Sequence, residues 1–268
     1  MPKFLSDYFS LNRRYSRSIN IERDFDQVEA LAGYVLTERS LDALGRILTG
    51  FTTPQANRAW TLTGVYGTGK SSFAQFLISA CADRENTAHK EALALIETTL
   101  GSESTEYLSL TKAIPKAGFF RAVVTAQREP LSHTIVRAMY KGSQFFGQKN
   151  KPAKTPQIAK EIVDLYTDVE NGKSIQTSKI IKLVVEVAKA AQTPVLILID
   201  ELGKNLEFVA QNQGAEDLYL LQQLAELPRE TDSQIYLIGL LHQAFADYGE
   251  RLSSVQRNEW AKIQGRFE

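Results

Sequence analysis

Residues 58–80 read R-A-W-T-L-T-G-V-Y-G-T-G-K-S-S-F-A-Q-F-L-I-S-A, and the remainder of the chain can be ordered around them. Inside this stretch, Gly64-Val65-Tyr66-Gly67-Thr68-Gly69-Lys70-Ser71 meets the pattern G-x-x-x-x-G-K-S/T at every fixed position. A β-prone run, Ala59–Thr63, leads in, and Phe73, Phe76, Leu77 and Ala80 follow at helical spacing. Strand, glycine loop and helix thus come in the order that the pattern requires. Glycine at 67 and 69 lets the backbone wrap an anion so that successive N–H groups donate to it. Lys70 adds a cation, Ser71 a hydroxyl for a divalent metal, and a helix opening at Lys70 directs the positive end of its dipole at the same place. Gly64, Val65, Tyr66, Gly67, Thr68, Gly69, Lys70, Ser71 and Ser72 are therefore the candidate nucleotide-phosphate residues.

Composition narrows the remaining possibilities. Of 268 residues, 43% are hydrophobic and 23% charged, which predicts a globular chain with one large domain, or one with a small appendage. Lys plus Arg balances Asp plus Glu at 31 each, so nucleic acid or an anionic surface would have to be met by a local patch. No apolar run approaches the roughly 18 residues of a membrane span, and the N-terminus lacks a signal-type apolar core. These absences predict a cytoplasmic protein without membrane contact. A single cysteine, Cys81, excludes an internal disulfide framework and predicts a small buried hydrophobe.

Residues 1–58 are expected to form an N-terminal arm and helices. Arg13, Arg14 and Arg17, near Tyr8, Phe9 and Tyr15, make either a solvated arm or a contact for a phosphate backbone or partner protein. Apolar spacing over 26–48 predicts two helices, with Thr37 or Ser40 at the break and Gly50 as the stop.

Residues 59–268 are expected to form the main domain, with helical insertions at about 83–117 and 141–190. A second strand falls at 119–125 and a helix follows Pro130. Residues 141–156 gather Gly142, Gly147, Pro152 and Pro156 with four lysines and no acid, which predicts an exposed loop, solvated or in contact with nucleic acid. Helical spacing returns at 158–166 and 180–190. The continuous apolar run at 194–199 predicts a strand buried on both faces. A linker to Gly214, a helix stopped by Pro228, and a fourth strand at 234–241 complete the alternation, which predicts a parallel sheet with right-handed crossovers.

Asp200 and Glu201 close the buried strand, where ligands of open α/β sheets bind. Two acids there need a compensating cation. With Mg²⁺ beside the loop, Asp200 serves as the metal-associated acid and Glu201 as the group that orients an attacking water, which favours hydrolysis over transfer to another acceptor.

The pairing of Gly64–Ser71 with Leu196-Ile197-Leu198-Ile199-Asp200-Glu201, followed by a strand that ends in polar residues, resembles the AAA+ ATPases. Within them it is most similar to the branch of origin-recognition ATPases, STAND signalling ATPases and the large ATPases of bacterial phage-defence systems. The resemblance covers about 59–241. It implies an α/β, three-layer P-loop NTPase fold with a central, mainly parallel sheet and helical insertions, and ATP and Mg²⁺ as ligands. Lys70 and Glu201 are then catalytic, Ser71 and Asp200 hold the metal, and His242 or Gln243 takes the place of the sensor. Thr125 or Gln127 would restrain Glu201 until a partner binds, and Arg257 and Arg266 are arginine-finger candidates. The implied activity is ATP-driven switching or remodelling of a nucleic-acid or protein assembly, with self-association or a partner protein. Alternatives are a STAND-type scaffold with slow turnover and, less favoured, a small-molecule kinase. Since a fifth strand and a helical lid are not evident after residue 241, the resemblance also leads us to expect a chain truncated at its C-terminus.

Overall fold

Four strands carry the fold: β1 (Ala59–Thr63), β2 (Phe120–Thr125), β3 (Val195–Asp200) and β4 (Ile235–Leu241). In the computed structural model, which describes residues 19–149, 155–212, 215–230, 234–250 and 252–268, they pair in the order β1-β4-β3-β2, each pair parallel. Thr125 lies opposite Asp200, and Thr63 opposite Leu241, so the carboxyl ends of all four strands share one edge of the sheet.

All six residues of β3 are buried because successive side chains enter two different cores. Ile197 and Ile199 face one, Leu196 and Leu198 the other. Helices α1 (Glu38–Thr52), α2 (Lys70–Ala80), α3 (Thr87–Leu100) and α4 (Thr105–Ala113) pack the second of these. The first is packed by α5 (Leu131–Lys149), α6 (Thr155–Glu170), α7 (Thr177–Ala191), α8 (Gly203–Asn212), α9 (Ala215–Glu230) and α10 (Ser254–Gln264). The result is an α/β chain compatible with three layers, sheet in the middle. Cys81 sits fully buried among α1–α4, where loss of solvent pushes its thiol up to about 12.

The insertion at 83–117 is helical, as the periodicity predicts. Asn86 caps α3 by accepting from Ala88 N–H at 2.9 Å, and Ser104 caps α4 by accepting from Tyr107 N–H at 3.3 Å. Elsewhere tertiary packing overrides the local signals. The first of the two helices expected over 26–48 is only a 3₁₀ turn, Val28–Ala30, while Thr37 does cap α1 through Ser40 N–H. Gly50 does not stop α1, which continues to Thr52. A Cβ at 50 would lie 2.4 Å from Asn57 O and from the Trp60 ring, so this glycine permits a close approach instead of breaking a helix.

The loop expected at 141–156 is a second correction, because α5 runs through to Lys149. Phe145 stacks on Phe25 with centroids 4.3 Å apart, and Phe146 meets Phe120 at 5.5 Å, so the aromatic pairs hold this turn helical. Gly142 lets α5 approach β2, since a Cβ there would come within 2.9 Å of Arg121 O. Lys151, Pro152 and Lys154 lie outside the described residues, as do the arginines and aromatics of 1–18.

The expected linker before Gly214 is α8, which buries Leu206 and Val209, and α9 extends two residues past Pro228 to Glu230. The segment after β4 also closes on the domain. Trp260 of α10 is buried and donates its indole N–H to Phe245 O at 2.7 Å. Glu268 N–H donates to Ala59 O at 3.0 Å, and Glu268 O accepts from Thr61 N–H at 2.9 Å. That pattern is a parallel pairing on the outer edge of β1. Among the described residues, no helix is long and apolar enough to cross a membrane.

Candidate active site

The glycine loop joins β1 to α2 at the carboxyl edge of the sheet. Gly67 and Gly69 adopt φ of +79° and +85°, a region that side chains with a Cβ rarely enter. A Cβ at either would touch nothing within 4 Å, so conformation and not space demands glycine here. Gly69 precedes α2 and offers no side chain to cap it. The first helical bond runs from Phe73 N–H to Gly69 O at 2.9 Å, which leaves the N–H groups of residues 70–72 directed out of the helix start. Such donors, with the helix dipole behind them, are suited to an anion.

Lys70 folds back over the loop, donating from Nζ to Gly64 O and to Val65 O, the latter at 2.9 Å. Burial pulls its ammonium below the ordinary value, with the charge of Asp200 opposing. Thr68 donates its hydroxyl to Val65 O at 2.8 Å, and Val65 and Tyr66 at the tip are exposed.

Asp200, at the end of β3, is buried. Loss of solvent raises its carboxyl pKa, against the lowering effect of Ser71 and of the Glu201 backbone. Ser71 donates its hydroxyl to Asp200 Oδ2 at 3.1 Å, and Glu201 N–H donates to Asp200 Oδ1 at 2.9 Å. A hydroxyl and a buried carboxylate side by side are hard oxygen donors, a set suited to Mg²⁺ when phosphate and water complete the shell. The donor chemistry therefore fits that ion.

Glu201 follows with φ +57°, one of two non-glycine residues with positive φ among those described. Its Oε2 pairs with Lys204 Nζ at the start of α8, and its Oε1 lies 3.8 Å from His242 Nε2. The His242 ring stacks on Tyr66, centroids 3.8 Å apart and planes 20° apart, and so joins the end of β4 to the loop tip. The His242 backbone N–H donates to the Tyr248 hydroxyl at 3.3 Å. That hydroxyl lies under Gly203, where a Cβ would be 2.2 Å away, so any other side chain at the start of α8 would have to displace Tyr248. Between these groups opens a pocket of about 540 Å³, lined by Tyr66, Gln127, Arg128, Lys204, Glu207 and Gln243 among others.

Comparison with protein-family models, with curated proteins and with solved structures finds no match for this chain.

Of the residues singled out in the sequence, the loop 64–72, Asp200, Glu201 and His242 come together, with Gln243 on the pocket wall. Thr125 lies beside Asp200 in the sheet, but its N–H donates to Glu22 Oε1 at 2.6 Å and its carbonyl accepts from Arg137 at 3.3 Å. Among the described residues, Lys204 Nζ pairs with the Glu201 carboxylate and His242 Nε2 lies 3.8 Å from it. Arg257 is exposed on α10, and Arg266 pairs with Glu226 at 2.7 Å.

Sequence reasoning missed Lys204, Tyr248 and Glu22. Lys204 carried a signal, since it stands three residues after Glu201 with opposite charge. Glu22 carried none: its carboxylate bridges Thr125 N–H and Lys141 Nζ from 103 and 119 residues away.

Proposed function

We propose that this chain is a Mg²⁺-dependent ATPase of the P-loop, AAA+-like kind, which couples ATP binding and hydrolysis to switching or remodelling of a nucleic-acid or protein assembly, in the manner of bacterial defence ATPases. The observation that carries the reading is the Ser71–Asp200 contact at the open start of α2. It joins the two motifs that the chemistry needs, one for phosphate and one for metal. The parallel sheet supports it, since the carboxyl ends of β1 and β3, which lead into the loop and into Asp200–Glu201, share one edge.

In this reading the N–H groups of residues 70–72 and the loop donate to the β and γ phosphates, and Lys70 Nζ leaves Gly64 O and Val65 O to join them. Ser71 Oγ and Asp200 would hold Mg²⁺, which supplies charge neutralisation on the phosphate oxygens. Glu201 orients a water and takes its proton as the water oxygen bonds to the γ phosphorus. The bond from that phosphorus to the β–γ bridging oxygen breaks, and ADP leaves with the electron pair. Asp200 orders this arrangement by holding the Glu201 N–H.

The ion pair on Glu201 favours a second reading, a nucleotide-dependent signalling scaffold with slow turnover. Titration with ATP and Mg²⁺ in a calorimeter, followed by phosphate-release kinetics with and without DNA, tests both. Saturable binding is expected. DNA-stimulated turnover supports the remodeller, slow DNA-indifferent turnover supports the scaffold, and failure to bind ATP overturns both.

A further inference from the structure

We infer that the pocket beside the loop tip is a single-strand site, in which one unstacked nucleobase lies on Tyr66 and its phosphate meets Arg128. The inference rests on the function proposed above, for which it names the part of a nucleic-acid assembly that meets the site. Three features of the pocket carry it.

The first is its aromatic wall. Tyr66 is 76% exposed, although its ring is stacked on His242 with centroids 3.8 Å apart. The stack orients the ring on the pocket wall and covers one face, so the surface that remains open is the other face and the edge. Position 66 is one of the four unrestricted places in the loop pattern, so phosphate binding gives no reason for an aromatic there. Every base has a π-face, and an exposed tyrosine is a platform for one.

The second is the polarity around that wall. Gln127, Arg128 and Gln243 are exposed and line the pocket. An apolar side chain entering here would strip water from these groups and leave them unpaired. A base is apolar on its faces but carries donors and acceptors on its edges, and a glutamine amide offers both. Arg128 pairs with Glu207 at 2.7 Å, with side chains 66% and 37% exposed. So exposed a pair contributes little, and a phosphate can take the guanidinium from Glu207 at small cost and hold it by a two-pronged contact.

The third is shape. The pocket, about 540 Å³ between the ends of β2 and β4 and the start of α8, is concave and falls within the roughly 300–1,000 Å³ of ligand sites. A base has to leave its stack to enter such a cavity, which costs least in a strand that is already unpaired. Lys plus Arg balances Asp plus Glu at 31 each, which suits a contact made by one base and one phosphate better than a long basic track.

The test measures binding to the full chain by fluorescence anisotropy, with ADP and Mg²⁺ present to fill the nucleotide site. The probes are fluorescein-labelled oligo(dT), an abasic strand of the same length, and oligo(dT) annealed to oligo(dA). Oligo(dT) is expected to bind roughly 5- to 150-fold more tightly than the abasic strand, the contribution of one stacked base, and more tightly than the duplex. Tyr66→Ala should remove that advantage and Tyr66→Phe keep it. Arg128→Gln should weaken both strands alike and lower the slope of log affinity against log salt by about 0.7, the value for one phosphate of a single strand. Equal affinity for oligo(dT) and the abasic strand, or no binding of either, overturns the base site without recourse to a variant. An advantage that survives Tyr66→Ala overturns it as well. Unlabelled TMP that displaces oligo(dT) as effectively as unlabelled oligo(dT) does overturns the single strand as the source of the base. Calorimetry with ATP on the same preparations keeps the two readings apart: absence of ATP binding overturns the ATPase, while the strand measurements still decide the pocket.

Discussion

Ser71, in the first turn of α2, donates its hydroxyl to Asp200 Oδ2 at 3.1 Å across 129 residues of chain. Neither residue is of use alone: a serine at a helix start is ordinary, and a buried carboxylate without a cation is unfavourable. Their contact brings the start of α2 against the end of β3 at the carboxyl edge of the sheet.

Lys70→Ala is expected to weaken ATP binding on the order of 10- to 100-fold, because Lys70 is the side-chain cation of the loop and hydrogen bonds to charged groups contribute about 1.5–3 kcal/mol. Calorimetric titration checks this, and wild-type affinity in the variant would remove Lys70 from the phosphate site.

Glu201→Gln should bind ATP normally and hydrolyse it roughly 10²- to 10⁴-fold more slowly, the usual contribution of a positioned general base. Turnover within a factor of two of wild type would place the base elsewhere, with Asp200 the next candidate.

Asp200→Asn separates stability from function. Burial raises the Asp200 carboxyl pKa in the folded state, so ionisation opposes folding once the pH exceeds the ordinary carboxylate range. Below that range the group is protonated in both states and the penalty vanishes. The ligand-free variant should therefore melt at a higher temperature than wild type near neutral pH, with the difference shrinking to nothing as the pH falls below the ordinary aspartate value. With Mg²⁺ and ATP at a hundredfold excess over Kd, wild type should gain about 2.7 kcal/mol. The variant should forfeit most of that gain. Thermal melts across pH, with and without ligand, decide it.

Gly203→Ala should destabilise the chain by about 1–3 kcal/mol, the usual penalty of overpacking. The new Cβ would be 2.2 Å from the Tyr248 hydroxyl and 2.5 Å from the ring carbon that bears it. Urea unfolding measures the loss, and an unchanged midpoint would show that Tyr248 moves aside freely.

The sequence by itself determined the strands, the loop and the acids, because each is a local matter. The run at 195–200 is apolar throughout since both faces of β3 are covered, and Gly67 and Gly69 answer backbone angles set within the loop. Tertiary structure alone decided the rest. Gly50 and Gly142 read as breakers from their neighbours in sequence, yet their missing side chains admit Trp60 and β2, which lie elsewhere in the chain. Phe145 sits on a helical turn of α5 and stacks on Phe25, a partner 120 residues away. Glu22 reached Thr125, and Glu268 reached β1, through contacts with no periodic trace. The same holds for the pairing of Glu201 with Lys204: opposite charges three residues apart were visible, but only the start of α8 over Tyr248 turned them into a contact. Propensity and periodicity act over a few residues, whereas close packing is satisfied by whatever the fold brings alongside.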